Sequence, residues 1–250
     1  MNVRDPKTSR VRLDGGEVHL WWGRRDAAWN LDAVRGWLSD EERRRGERFR
    51  RARDAHAFLF RRAFRRSVLA SYVGVAPWEI CFETSECGKP SLVGAHGRVR
   101  FNASSSDEWT LVGVSADREL GVDVEKGDGR FLEQEELSLL ARRVLTGAEQ
   151  DCLAQLPGSE RLRAFLRVWT GKEALLKALG TGLSREPSTV EVGLESNGGE
   201  RALDTKLFPG RLLDLPAPSG FSASVVVAAE PGERLRFLGR ELGGRTFSAR

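Results

Sequence analysis

Apolar and polar positions recur along this chain with two periods, and each period marks a kind of element. Leu162, Phe165, Leu166, Trp169, Leu176 and Leu179 fall on one helical stripe, so the stretch from Phe165 to Ser184 reads as an amphipathic helix closed by Gly180 and Gly182. Glu173 lies on the same stripe, between Trp169 and Leu176. A carboxylate on a core-facing stripe costs free energy unless something pairs with it, and Lys177 stands one turn on at i+4. Leu120–Lys126 alternates with period two instead: Val122 and Val124 face one way, Asp123 and Glu125 the other.

The same signals place the remaining elements. Glu17–Trp22, Ile80–Glu83, Arg98–Ala103, Thr110–Ser115, Val190–Val192, Lys206–Leu207 and Ser222–Ala228 read as strands, with a polar turn at Ser104-Ser105-Ser106-Asp107. Ser39 and Glu42 form a capping-box signature that opens a basic helix reaching about Arg53. Asp54 is the expected cap of the next helix, which carries Phe58, Leu59, Val68, Leu69 and Tyr72 and stops near Gly74. Pro77-Trp78 starts a short turn, and Gly88-Lys89-Pro90 is a loop. Phe131–Arg143 and Gly147–Gln155 are further helices. Residues 1–16 read as a flexible lead-in, and the chain beyond Pro231 as a last strand or a tail.

One regularity spans these elements. Leu38-Ser39-Asp40-Glu41 leads into helices ending at Gly74, and Leu145-Thr146-Gly147-Ala148-Glu149 leads into helices ending at Gly180. The near-equal spacing predicts two similar α+β halves, 1–117 and 118–250, packed face to face with a site at their junction. Coincidence between common helix signals is the competing explanation.

Composition adds limits. At 250 residues with 40% hydrophobic and 30% charged content, the chain is long enough for a sizeable core. The net charge is only +4, yet Glu41 to Arg66 holds eleven arginines and no lysine. Such a run favours phosphate-bearing partners or is a solvated face paired with local acids. A nucleic-acid binder is not expected, because no aromatic-interleaved or helix-turn-helix pattern accompanies it. Cys81, Cys87 and Cys152 are odd in number and scattered, which implies no disulfide framework, and with three histidines a zinc site is not expected. No apolar run reaches membrane-spanning length and the first ten residues lack a signal-peptide core, so a cytoplasmic location is expected by default.

Asp123 and Glu125 carry the chemistry. At i and i+2 of a strand their Cα atoms lie roughly 7 Å apart on one face. Like charges so placed suggest a hard cation between them, Mg2+ above all, with Glu173 as a natural third ligand. A lone D-x-E on a solvent-facing strand has no such meaning. Trp169-Thr170-Gly171-Lys172 is not a phosphate-binding P-loop, since Leu166 stands where glycine is required and Glu173 where Ser or Thr is.

The surrounding motifs decide between these readings. Gly121-Val122-Asp123-Val124-Glu125-Lys126, followed by Trp169-Thr170-Gly171-Lys172-Glu173-Ala174 with Lys177, Ala178 and Gly180, resembles the 4′-phosphopantetheinyl transferases of the larger, pseudo-dimeric type. Gly88-Lys89-Pro90 and Phe101-Asn102-Ala103-Ser104-Ser105-Ser106 resemble that family's G-K-P loop and its F-N-x-S-H-S turn. The resemblance runs from about Leu38 to Ser184. It implies an α+β fold of two pseudo-twofold halves and Mg2+-dependent transfer of phosphopantetheine from coenzyme A to a serine of apo acyl or peptidyl carrier proteins, releasing 3′,5′-ADP. It further implies Asp123, Glu125 and Glu173 as metal ligands, with Glu173 also the base for the serine hydroxyl. Lys172 and Lys177 would neutralise phosphate charge, Ser104 and Ser105 would lie at the phosphates, and Lys89 and Pro90 would line the nucleotide pocket. The carrier would dock near Phe131, Leu132, Leu139 and Leu140, although core is the simpler expectation for these. A monomer is expected. Two positions depart from the family pattern: Ser105 replaces the turn histidine, and Ala57 stands where an arginine meets the 3′-phosphate. Arg45, Arg61 or Arg62 would then substitute, or the ligand would be held weakly. The alternative is a relative that only binds coenzyme A or carrier.

Overall fold

The computed structural model describes residues 10–25, 31–127, 134–181, 185–194, 199–205, 208–241 and 246–248. Its first half contains strand β1 (Glu17–Arg24), helices α1 (Leu31–Val34), α2 (Asp40–Glu47) and α3 (Ala52–Val73), then β2 (Phe82–Thr84), β3 (Pro90–Leu92), β4 (Arg100–Ser106) and β5 (Trp109–Ser115). The second contains β6 (Leu120–Lys126), α4 (Gln134–Val144), α5 (Gly147–Gln155), α6 (Gly158–Leu179), β7 (Glu200–Thr205), β8 (Phe208–Asp214) and β9 (Phe221–Ala228). Strands β10 (Arg236–Glu241) and β11 (Thr246–Ser248) follow.

The order of elements runs in parallel through the two parts of the chain. Each half opens on a strand, passes through a capped helix into a 22-residue helix, and returns through a hairpin. Ser39 caps α2 and Thr146 caps α5, each by accepting from the backbone N–H of a glutamate three residues on, Glu42 and Glu149, whose side chain accepts in return. Helices α3 and α6 end on Gly74 and Gly180, both left-handed, at φ 75° and 71°. In the first half β1 pairs antiparallel with β5 and β5 with β4; in the second β6 pairs antiparallel with β9 and β9 with β8.

The sheets are five-stranded (β11-β10-β1-β5-β4) and four-stranded (β6-β9-β8-β7), with a small β2-β3 hairpin beside the first. Val18, Leu20, Leu111, Leu120, Val122, Val124, Val225 and Val227 form a buried cluster between the sheets. Helix α6 packs with α4 and α5 over the second sheet, and α3 packs over the first. Apolar alternation explains this: β1, β5, β6 and β9 each bury one face against a helix and the other against the opposite sheet.

Several expectations are corrected. β10 pairs in parallel with β1, Glu17 opposite Arg236 through Trp22 opposite Glu241, so the segment beyond Pro231 belongs to the first sheet rather than closing the second half. β4 continues through Ser106, and the turn is only Asp107-Glu108, with Asp107 at φ 48°. Helix α3 starts from Arg51 without a side-chain cap, leaving Asp54 in its first turn. Val190–Val192 is not a strand: its backbone is taken up by side chains, Val190 O by Lys172 Nζ and Val192 N–H by Glu149 Oε1 at 3.0 Å. Leu139 and Leu140 are exposed, while Leu137, Ala141 and Val144 bury the inner face of α4. Phe131, Leu132, Gly182, Ser184, Lys206 and Leu207 lie outside the described residues.

Candidate active site

Strand β6 stands between the halves. Its backbone pairs with β9, and β4 of the first half reaches it through side chains. Asn102 Oδ1 accepts from Val122 N at 3.0 Å, Ser104 Oγ donates to Asp123 Oδ1 at 2.7 Å, and Ser106 Oγ donates to Glu125 Oε2 at 3.1 Å. The period of two puts Asn102, Ser104 and Ser106 on this face. It turns Ser105 the other way, where its hydroxyl shares a 3.0 Å hydrogen bond with Thr110 Oγ1.

Helix α6 closes the other side. A Cβ at Gly121 would lie 1.9 Å from Ala174 O and 2.5 Å from the backbone N of Ala178, so β6 rests directly on the backbone of α6. That contact brings Lys177 to Asp123: its ammonium donates to Asp123 Oδ1 at 2.5 Å and to Ser104 Oγ at 3.1 Å. Asp123 is almost fully buried, and burial raises its carboxyl above the usual range against the pull of Lys177. Glu125 and Glu173 are raised too, in each case first by burial and then by the Asp123 charge. The three carboxylates therefore crowd one another around a single lysine.

A cation fits this donor set. Asp123 Oδ2 and Glu173 Oε1 are buried without a hydrogen-bond partner. Unpaired buried carboxylate oxygens are costly, and oxygen donors that also repel one another suit a hard divalent ion. Among the described residues no three Asp, Glu, His or Cys side chains are already placed to hold a metal ion; the two orphaned oxygens, with Glu125 beside them, are what a cation would gather.

The other expected residues divide. Lys89 and Pro90 line one groove with Ser85, Ser91, Arg100 and Phe101, and the Lys89 ammonium is engaged by Glu119 at 2.6 Å and Ala178 O at 3.0 Å. Arg45 lines a different groove on α2, with Glu41, Arg44, Arg48 and Phe49. Arg45 and Arg62 both stack on Phe58, next to Ala57, at 5.4 and 5.2 Å.

Lys172 is the clear correction. It is fully buried on the opposite side of α6, donating to Glu149 at 2.6 Å, to Pro187 O at 2.9 Å and to Val190 O at 2.5 Å. Burial lowers its pKa, and the Glu149 carboxylate opposes that shift. With three acceptors around one ammonium it has no donor left for a phosphate. Adjacent helix positions point about 100° apart, which is why Glu173 opens to the cleft and Lys172 does not. Sequence reasoning missed Glu149 as its partner, and missed Ser106. Extending strand alternation from Arg100 to Ser106 would have found the serine.

Two carboxylates on β6, a third with a lysine on a glycine-seated helix, and hydroxyl donors from β4 make up one charged centre at this seam. Family comparison gives the class: the chain belongs to the 4′-phosphopantetheinyl transferase superfamily, whose model matches residues 119–223, preceded at 22–117 by the match to the N-terminal model of 4′-phosphopantetheinyl transferase. It is 33% identical over 183 residues to 4′-phosphopantetheinyl transferase HetI of Nostoc, covering 72% of this chain and 76% of that one. It is 37% identical to the putative 4′-phosphopantetheinyl transferase slr0495 of Synechocystis (59% and 58% covered) and 30% identical to 4′-phosphopantetheinyl transferase Sfp of Bacillus subtilis (65% and 69%). Among solved structures, the holo-[acyl-carrier-protein] synthase of Thermotoga maritima overlays with a TM-score of 0.33 and 24% identity, over 45% of this chain and 63% of that one. That overlay is too partial to add to the argument. The chain is thus a phosphopantetheinyl transferase with the α+β fold.

Proposed function

We propose that this transferase moves 4′-phosphopantetheine from coenzyme A to the serine hydroxyl of apo acyl or peptidyl carrier proteins, with Mg2+, releasing 3′,5′-ADP. The observation that supports it is the Lys177–Asp123 pair at the seam, with two orphaned carboxylate oxygens on Asp123 and Glu173 and with Glu125 and Glu173 both repelled by the Asp123 charge. Asp123, Glu125 and Glu173 would hold the cation, which when bound supplies charge neutralisation at the diphosphate. Glu173, whose pKa burial and then the Asp123 charge raise above the usual carboxylate range, is the stronger base for it and accepts the serine proton in its carboxylate form. The serine oxygen forms its bond to the β-phosphorus as the bond to the departing 3′,5′-ADP breaks. Lys177 meets the phosphate charge, its ammonium held in place by the Asp123 carboxylate and by Ser104 Oγ, which accepts from it. Lys172 has no part in this chemistry.

The Lys89–Pro90 groove is the proposed nucleotide site, and the arginines Arg45, Arg61 and Arg62 are proposed to hold the 3′-phosphate in place of the groups absent at Ala57 and Ser105. Exposed Leu139 and Leu140 on α4 are the proposed carrier contact. Action as a cytoplasmic monomer is part of the same reading; among the described residues no helix is long and apolar enough to cross a membrane. Intact-protein mass spectrometry of an apo carrier incubated with the chain, coenzyme A and Mg2+ tests it. A phosphopantetheine adduct that disappears with Glu173→Gln is expected. No adduct across several carrier types would overturn the reading in favour of a chain that only binds coenzyme A or carrier.

A further inference from the structure

We infer that Ser106 is a positioning residue for Glu125, so that the first half of the chain orients the carboxylates of the second for their cation. This rests on the metal reading proposed above. Three features of the seam carry it. Ser104 and Ser106 are two residues apart on β4, Asp123 and Glu125 are two apart on β6, and each serine hydroxyl donates to one carboxylate. The strands are not joined by backbone ladder bonds, so these side-chain contacts set how the two strands lie against each other.

The second feature is the direction of the Ser106 hydroxyl. Its oxygen accepts from the backbone N–H of Lys126 at 3.1 Å, which leaves its single proton for Glu125 Oε2 at 3.1 Å. The third is anchorage. Asp107, the next residue, accepts from the Lys126 ammonium at 2.5 Å, pinning the hairpin tip to the end of β6. Glu125 is next to the end of its strand, half-buried and repelled by Asp123. A glutamate so placed relaxes outward unless a donor fixes it, and a carboxylate ligand fixed by an outer hydrogen bond binds its metal more tightly.

Direct Mn2+ binding, followed by loss of the free-ion electron paramagnetic resonance signal in the presence of coenzyme A, tests the assignment without requiring turnover. Ser106→Ala is expected to weaken Mn2+ binding by about tenfold or more while the metal-free melting temperature stays within a few degrees. Ser106→Thr, which keeps the hydroxyl, restores binding. On a Glu125→Gln background, Ser106→Ala produces no further loss. Should Ser106→Ala not fold, Ser106→Cys against Ser106→Thr gives the same contrast. Unchanged Mn2+ affinity in Ser106→Ala, or an equal loss on the Glu125→Gln background, overturns this inference while wild-type transfer activity still stands. A wild-type chain that transfers phosphopantetheine but binds no Mn2+ overturns it together with the metal assignment. A wild-type chain that modifies no carrier removes the functional reading itself.

Discussion

Gly121→Ala is the sharpest perturbation of the site, because the substitution adds one carbon and touches no reacting group. That carbon would stand 1.9 Å from Ala174 O and 2.5 Å from the backbone N of Ala178. Both are backbone atoms of a buried helix, so no side chain can swing aside. Restoring an ordinary contact of 3.4 Å requires β6 and α6 to part by about 1.5 Å (3.4 − 1.9). Overpacking of this kind costs about 1–3 kcal/mol, or more where the neighbours are rigid, which for a chain of this size lowers the melting temperature by roughly 2–12 °C. The effect on catalysis is larger. Ala174 follows Glu173 and Ala178 follows Lys177, while Asp123 lies two residues beyond Gly121, so the same displacement separates Asp123 from both. A shift of 1 Å in such a site lowers the rate by about a hundredfold. Carrier modification followed by mass spectrometry, with thermal denaturation alongside, reads both quantities. Gly147→Ala, where an added Cβ meets nothing within 4 Å at the start of α5, serves as control and should leave the rate unchanged without lowering the melting temperature. Gly121→Ala retaining a rate within threefold of wild type would refute the argument that this contact sets the site.

Lys172→Met is expected to destabilise the fold by about 3–5 kcal/mol in urea denaturation, since it leaves Glu149 buried and unpaired; adding Glu149→Leu should recover most of the loss. A stable Lys172→Met with a raised KM for coenzyme A would return that lysine to the phosphate site. His19 is fully buried among Tyr72, Glu17 and Trp21, bonded to Tyr72 Oη at 2.7 Å, with Arg236 and Arg240 supplied by β10. Burial first, and Arg240 second, push its pKa down to about 4 from 6.5. The unfolded chain therefore takes up this proton first as pH falls. The stabilisation is complete above pH 6.5 and is lost toward pH 4, by up to about 3 kcal/mol. The raised carboxyls Asp123, Glu125 and Glu173 act in the opposite sense, binding protons more readily in the folded state. Comparing urea midpoints at pH 7 and 4.5 for wild type and His19→Gln cancels their contribution. An equal pH-dependent loss in both chains counts against the histidine.

Local signals settled what depends on nearest neighbours along the chain. The Ser39–Glu42 and Thr146–Glu149 boxes, the glycines ending α3 and α6, and the alternation of β6 are all short-range regularities, and all appear in the fold. The placement of Asp123 and Glu125 on one face of β6, and of Glu173 on the stripe of α6, was legible from strand and helix periods; their reading as metal ligands came from the motif resemblance and remains a proposal. The ends of elements and the destinations of buried polar groups were not legible. Nothing within residues 190–192 says that their backbone will be served by Lys172 and Glu149 from two helices. Nothing near Arg236 says that its strand will pair with β1, more than two hundred residues earlier.

The sequence by itself determined the main helices, their caps, the alternation of β6 and the family motifs, because period, capping and motif spacing are written in contiguous residues. Only the tertiary structure decided which lysine serves the fold and which faces the carboxylates. Lys172 and Lys177 are both charged residues of one helix, and their roles diverge because one side of α6 is sealed by Glu149 and the 187–190 segment while the other opens onto β6. The same holds for Ser104, Ser105 and Ser106. Ser105 finds Thr110 within its own hairpin, but its neighbours on either side become donors to Asp123 and Glu125 only when a strand from the other half is laid against them.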